Sequence, residues 1–358
     1  MIKLEVKPSE VVPVEQEVEQ PSLERKFFNL RTLLSFAFAA VILYLFIERA
    51  DLNLGVAWSR IREANITLFV LAFVVYYCTF PLRTVRWRAL LINVGFHAEP
   101  SVRVPSLRGL GEILMLSWFA NCIVPAKLGD GYRAYLLKRA AGAGFSRTLG
   151  TILAERMIDI VVMVILLVVS AFYLFRGHSD MANGVVQAGV LLLAVVIVGL
   201  LTMRTLGNRA HLVLPRRFHT IYEQLHHGTL RSFQQIPALV LLTLVIWLGE
   251  AARLYFVTHA LNVPVSFLLV LFVSLVNSLL TALPVTPGGL GLVEAGMTGI
   301  LMTAVSKDDA MSVAILDRMI TYWSIVALGL VLYLWRKRRG DGGEKGKRGK
   351  EEELSMPL

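Results

Sequence analysis

Cysteine is nearly absent: Cys78 and Cys122 are the 2 in 358 residues. Both sit in apolar runs, which argues against a disulfide framework or a thiolate metal cluster and reads as two small buried hydrophobes. Charge is also scarce. Only 17% of residues are charged, 56% are hydrophobic, and the mean hydropathy is +0.63. Long uncharged runs recur, so an ordinary soluble domain is excluded and a polytopic membrane protein is indicated. Acidic residues are the minority sign, 26 against 36 Lys+Arg, for a net charge of +10. No nucleic-acid module accompanies that excess, so no nucleic-acid partner is expected and the basic residues read as cytoplasmic loops.

What is present is a series of apolar segments. Residues 1–29 form a polar, proline-containing tail that cannot build a core. The poor cleavage site at Ile47-Glu48-Arg49 argues for a first membrane helix, 30–47, rather than a cleaved signal. Further spans are expected at 66–82, 148–175, 185–203, 238–260 and 311–335. The second runs into Arg83, Arg86 and Arg88, which read as snorkelling at the interface. Residues 204–235 form a basic loop with room for an interfacial helix. A basic, glycine-rich tail occupies 338–358. Two apolar segments do not read as simple spans. Residues 113–124 are too few to cross and stop at Pro125, and 266–305 is broken in its middle.

That break is the focus of the chain. Leu283-Pro284-Val285-Thr286-Pro287-Gly288-Gly289-Leu290-Gly291-Leu292-Val293-Glu294 holds two prolines and three glycines within eight residues. A helix cannot continue through it. Lipid offers no hydrogen-bond partners, so such backbone must be enclosed by protein or line a wet cavity. A plain loop between two helices is the alternative. The expected architecture is therefore all-α and polytopic, with six full spans and two broken, re-entrant segments.

Lysine and arginine placement gives an orientation. With the N-terminus inside and 113–124 dipping in and back, inside segments hold 28 Lys+Arg and outside segments hold 5. Both termini are then cytoplasmic, in the cytoplasmic (inner) membrane. Charge does not decide whether 266–305 re-enters or crosses twice.

An internal repeat is visible. Asn121, Pro125, Gly129-x-Gly131 and Glu155-Arg156-x-x-Asp159 match Asn277, Pro284, Gly289-x-Gly291 and Asp317-Arg318-x-x-Thr321. The flippase-like region 30–337 thus divides into halves of about 30–176 and 184–337. Each half has an odd number of crossings, so the second is inverted. Paired broken segments in inverted repeats place a transporter site at the midplane.

Ionised groups inside spans are costly and face protein or water. Glu155 and Asp159 share one helix face, with Arg156 about 100° around. Two readings stay open: a head-group or proton site, or an ion-pair lock with Arg318 or Arg253. Asp317 and Arg318 carry the same two readings. Glu250 and Arg253, spaced i,i+3, read as a pair. Asp130 and Arg133 read as a solvated interfacial pair, and Glu294 needs a partner.

Gly129-Asp130-x-x-Arg133, Glu155-Arg156-x-x-Asp159 and Pro284-x-x-Pro287-Gly288-Gly289-x-Gly291-x-x-Glu294 resemble the lysylphosphatidylglycerol synthase transmembrane-region family, the flippase-like domain family. Asp130 stands where that family often has glutamate. The resemblance implies a lipid-translocating domain with inverted re-entrant segments. Relatives that synthesise the lysyl lipid carry a soluble transferase domain after the spans. Only about twenty residues follow the last span here, so the expectation is a transporter rather than an enzyme. No cofactor and no metal are expected. The membrane lipid is the expected partner, with lipid- or glycan-synthesis enzymes as further partners. A non-transporting role in such a complex is the alternative. A membrane transferase is less favoured, because loop 204–235 has four histidines but only Glu223 as an acid.

Overall fold

The computed structural model describes residues 30–50, 53–124, 127–175, 179–207, 215 and 218–338. Among them the chain is helical throughout, with no strand. The helices are α1 (Leu30–Arg49), α2 (Leu54–Arg62), α3 (Ile66–Asn93), α4 (Leu107–Ile123), α5 (Leu128–Ala141), α6 (Phe145–Leu174), α7 (Ser179–Leu206), α8 (His219–Ser232), α9 (Ile236–Ala260), α10 (Phe267–Ala282), α11 (Leu292–Leu301) and α12 (Lys307–Arg318). The last continues through a π-helical turn, Met319–Trp323, to Arg338. Six helices are long and apolar enough to cross a membrane: α1, α3, α6, α7, α9 and α12 with its continuation. The expected tails, 1–29 and most of 338–358, lie outside the described residues.

Helix starts follow local chemistry. Asn65 Oδ1 accepts from the Thr67 and Leu68 amides at 3.0 and 3.2 Å. Asn53, Ser106, Ser266 and Ser306 cap α2, α4, α10 and α12 in the same way. Each short polar side chain satisfies an amide that the first turn leaves free.

The second span is longer than expected. α3 has 28 residues and runs through Pro81 to Asn93, about 42 Å at 1.5 Å per residue. Its buried face repeats as Ala72, Tyr76, Thr79, Arg83, Arg86 and Leu90, the spacing of one helical stripe. That stripe packs along α9, the most extensive helix pair in the molecule. α6 packs on α8, α7 and α10. The loop helix anticipated in 204–235 is α8. At its crossing with α6, a Cβ on Gly150 would lie 2.5 Å from the Leu225 carbonyl oxygen, so only glycine permits this approach.

Both irregular segments are helix–break–helix. α5 packs back on α4. After α10, a 3₁₀ turn (Pro287–Gly289) leads into α11. The two breaks meet: Tyr322 donates to the Cys122 carbonyl at 2.9 Å, and a Cβ on Gly288 would lie 2.7 Å from the Tyr322 ring and 3.4 Å from Cys122 Cα.

Candidate functional site

Two clusters of buried charge occupy the interior. The first joins α3, α5, α6 and α9. Arg86 is fully buried. Its guanidinium reaches Asp159 at 2.6 Å, Glu155 at 2.8 Å and the Thr243 hydroxyl at 2.7 Å. Arg133, 1% exposed, meets Glu155 at 3.0 Å and stacks 3.8 Å over the Trp87 ring. Arg156 meets Asp130 at 3.2 Å and Asp159 at 3.7 Å. Three arginines thus face three carboxylates, which removes the cost of an unpaired charge in a low-dielectric interior.

The second cluster joins α3, α9, α11 and α12. Arg83 meets Glu250 at 2.7 Å and lies 4.8 Å over the Trp118 ring. Glu250 also meets Arg253 at 3.3 Å, and Arg253 pairs with Asp317. Arg318 meets Glu294 at 2.7 Å and donates to the Gly288 carbonyl at 2.9 Å. Again three arginines face three carboxylates. α3 belongs to both clusters, Arg83 serving one and Arg86 the other. The π-helical turn begins one residue after Arg318.

The breaks are held by specific polar contacts. In the first, Asn121 Oδ1 accepts from the Gly129 amide at 2.8 Å, and the Ser117 hydroxyl donates to the Gly129 carbonyl at 2.8 Å. Pro125 lies outside the described residues. In the second, Pro284 is exposed and Pro287 buried. Gly288, Gly289 and Gly291 take φ of 57°, 74° and 81°, a region that side chains disfavour. Glu294 Oε2 accepts from the Gly291 amide at 2.7 Å. One carboxylate therefore caps α11 and neutralises Arg318.

Several expectations need correction. Arg83 and Arg86 do not snorkel at the interface; α3 continues past them and buries both, while Arg88 is exposed. Asp130 and Arg133 are not a solvated pair: Asp130 turns to Arg156 and Arg133 to Glu155. The arginine partners of Glu155 and Asp159 are Arg86, Arg133 and Arg156, not Arg318 or Arg253. Arg156 and Arg318 have different carboxylate partners. The Glu250–Arg253 pair forms as expected, and Glu294 finds Arg318. Arg83, Arg86, Trp87 and Thr243 were missed. The signal for the arginines was the stripe itself, since both continue the spacing of Tyr76 and Thr79. Thr243 carries no comparable mark.

A family model for the lysylphosphatidylglycerol synthase TM region matches residues 32–329. The chain belongs to that family. A UPF0104 membrane protein of Methanocaldococcus jannaschii is 34% identical over 220 residues, 60% of this chain and 93% of that relative. A UPF0104 membrane protein of Pyrococcus horikoshii is 22% identical over 309 residues, covering 77% and 89%. A Haloferax volcanii protein named glycosyltransferase AglD is 24% identical over 340 residues, 83% of this chain but only 53% of that protein. Family membership and six apolar helices make this a multi-pass membrane protein. The family is a transmembrane region without a catalytic domain.

Proposed function

We propose that the protein moves an anionic or otherwise modified lipid between leaflets, with the head group passing through its polar interior. The observation that carries this reading is the exposure of Arg156. Its side chain is 40% accessible, against 7% or less for the other five arginines of the two clusters. It is the twelfth residue of a 30-residue helix, so it stands about 17 Å from one end. A partly accessible arginine side chain within the helix, already paired with Asp130 and Asp159, can also meet water or an anion. Its planar fork suits phosphate oxygens. The charges of the two clusters balance, which leaves the interior without net charge. The meeting of the two breaks at Cys122, Gly288 and Tyr322 supports an inverted repeat with its site between the halves. The excess of lysine and arginine on one side supports cytoplasmic termini in the cytoplasmic membrane. Removing the buried Arg83, Arg86 and Arg133 from the inside count leaves that excess in place.

The test is reconstitution of the purified protein into liposomes with labelled lipids of several head groups. Wild-type protein is expected to flip at least one. Arg156→Lys is expected to lose flipping at an unchanged melting temperature, because an ammonium replaces a bidentate fork poorly. No flipping by the wild type, or full flipping by Arg156→Lys, would refute the proposal.

One observation favours a second reading, that of a non-transporting partner in glycan or lipid synthesis. The protein named glycosyltransferase AglD contains a region like this chain within a length about twice as great. A synthase that co-purifies with the chain, combined with no flipping by the isolated protein, would favour that role.

A further inference from the structure

The end of the last span that charge placement puts in the cytoplasm carries arginine that neither cluster uses. The continuation of α12 comes close to α4 there. A Cβ on Gly329 would lie 2.4 Å from Phe119 Cβ, so only glycine permits this approach. One turn further, the Tyr333 ring lies beside Phe119, with centroids 6.3 Å apart. Tyr333 and Tyr132 of α5 both pack on the apolar group of Phe119, Ala120, Ile123 and Val124. Along α5, Tyr132, Tyr135 and Arg139 recur at the spacing of one stripe, and none of the three is buried. Tyr132 and Tyr135 stack, with centroids 6.2 Å apart. Arg133 points elsewhere, into the first cluster.

Two helices thus bring one polar group together. Tyr132 lies within electrostatic reach of Tyr333 and Arg336 on the last helix and of Tyr135 and Arg139 on its own, with no carboxylate among these neighbours. Arg139 is exposed and Arg336 half-buried. Among the described residues neither arginine has an ion-pair partner, and Arg336 Nη1 is sealed from solvent without an acceptor. Arg108, on the same side of the molecule, is different: it meets Glu112 at 3.6 Å. The Tyr132 and Tyr333 phenols also make no hydrogen bond among the described residues. Two guanidiniums without counter-charge and two phenols are all able to donate. Their missing complement is an oxygen-rich anion with two negative charges. A phosphomonoester carries nearly that charge above its second pKa of about 6, and its oxygens suit the arginine fork. A phosphodiester carries only one charge.

We propose that Arg139 and Arg336, with the phenols of Tyr132 and Tyr333, bind a phosphomonoester or diphosphate group at this end of the molecule. The group belongs either to a lipid or to a water-soluble phosphate. The site lies apart from Arg156 and does not depend on the lipid-transport reading.

The test is titration calorimetry on the full-length protein in a neutral detergent at pH 8, with three probes. Short-chain phosphatidic acid is a lipid phosphomonoester, short-chain phosphatidylglycerol a phosphodiester, and inorganic pyrophosphate a soluble diphosphate. Wild type is expected to bind phosphatidic acid or pyrophosphate about tenfold more tightly than phosphatidylglycerol. Tight pyrophosphate binding assigns a soluble phosphate, and tight binding of phosphatidic acid alone assigns a lipid. Arg336→Gln should remove the preference, and Tyr132→Phe should reduce it severalfold. Arg139→Gln reports in place of Arg336→Gln should that variant misfold. Arg108→Gln, which removes an exposed charge on the same side, should leave binding unchanged. Arg156→Lys should also leave it unchanged, whatever it does to flipping. Binding of neither monoester nor diphosphate above the diester overturns the inference. So does an equal loss in Arg108→Gln, which would mean general surface charge, or a loss in Arg156→Lys alone, which would place the anion in the interior.

Discussion

The hydroxyl of Tyr322 donates to the carbonyl of Cys122 at 2.9 Å, joining residues 200 positions apart. It ties the last span to the end of α4, where the first break begins, and the same ring packs against Gly288 in the second break. Tyr322→Phe removes the donor and leaves a buried carbonyl unpaired. The expected loss is about 1–2 kcal/mol, read as a lower melting temperature by tryptophan fluorescence. Gly288→Leu is expected to be worse, because its Cβ would lie 2.7 Å from the Tyr322 ring at a φ of 57°. Wild-type stability and flipping in both variants would mean that the junction does not matter.

Arg86 is the keystone of the first cluster. Arg86→Leu strands Glu155 and Asp159 without their closest partner, and a loss of about 3–5 kcal/mol is expected. Adding Asp159→Asn, which leaves Arg133 paired with Glu155 and Arg156 with Asp130, should restore much of the stability without restoring transport. Arg156→Lys, at the open edge, should show the opposite pattern: stable and inactive. Melting temperature and flipping measured on the same preparations separate the lock from the site.

Acidity should loosen α8. His227 faces Arg231 on its own helix, Arg147 of α6, Glu99 and His226, and its Nδ1 is buried without a partner. Burial, then Arg231 and Arg147, push its pKa below the ordinary imidazole value, outweighing Glu99. The neutral form is therefore the one that fits. Its contribution is complete above the unfolded-state value of about 6.5 and is lost as pH falls toward the lower folded value. Amide exchange in α8 should accelerate between pH 7 and 5 in wild type, and the change should shrink in His227→Asn. A pH response unchanged in that variant would assign the effect to another group.

Orientation is testable by cysteine accessibility in a background lacking Cys78 and Cys122. Ala140→Cys, at the exposed end of α5, and a cysteine placed after Arg339 are expected to be protected from an impermeant reagent applied outside. Lys307→Cys at the start of α12 is expected to react. External labelling at position 140 would mean that the 113–124 segment crosses and that the inverted-repeat proposal fails.

The sequence alone determined the class, the existence of six spans and the position of the two breaks. These depend on local chemistry: apolar length, and proline and glycine at the breaks. It also determined that Glu294 needed a partner and that Glu250 would find Arg253, since i,i+3 neighbours on a helix have little choice. Only the tertiary structure decided the remaining pairings. Arg86 lies 69 positions from Glu155 and 157 from Thr243; whether they meet depends on how α3, α6 and α9 pack. Arg83 and Arg86 read as interfacial because seventeen uncharged, mostly apolar residues precede them, 66–82, enough to span a bilayer. α3 instead continues past both and packs them against α6 and α9. A charge's partner is set by distance through space, and the chain order of residues does not contain that distance.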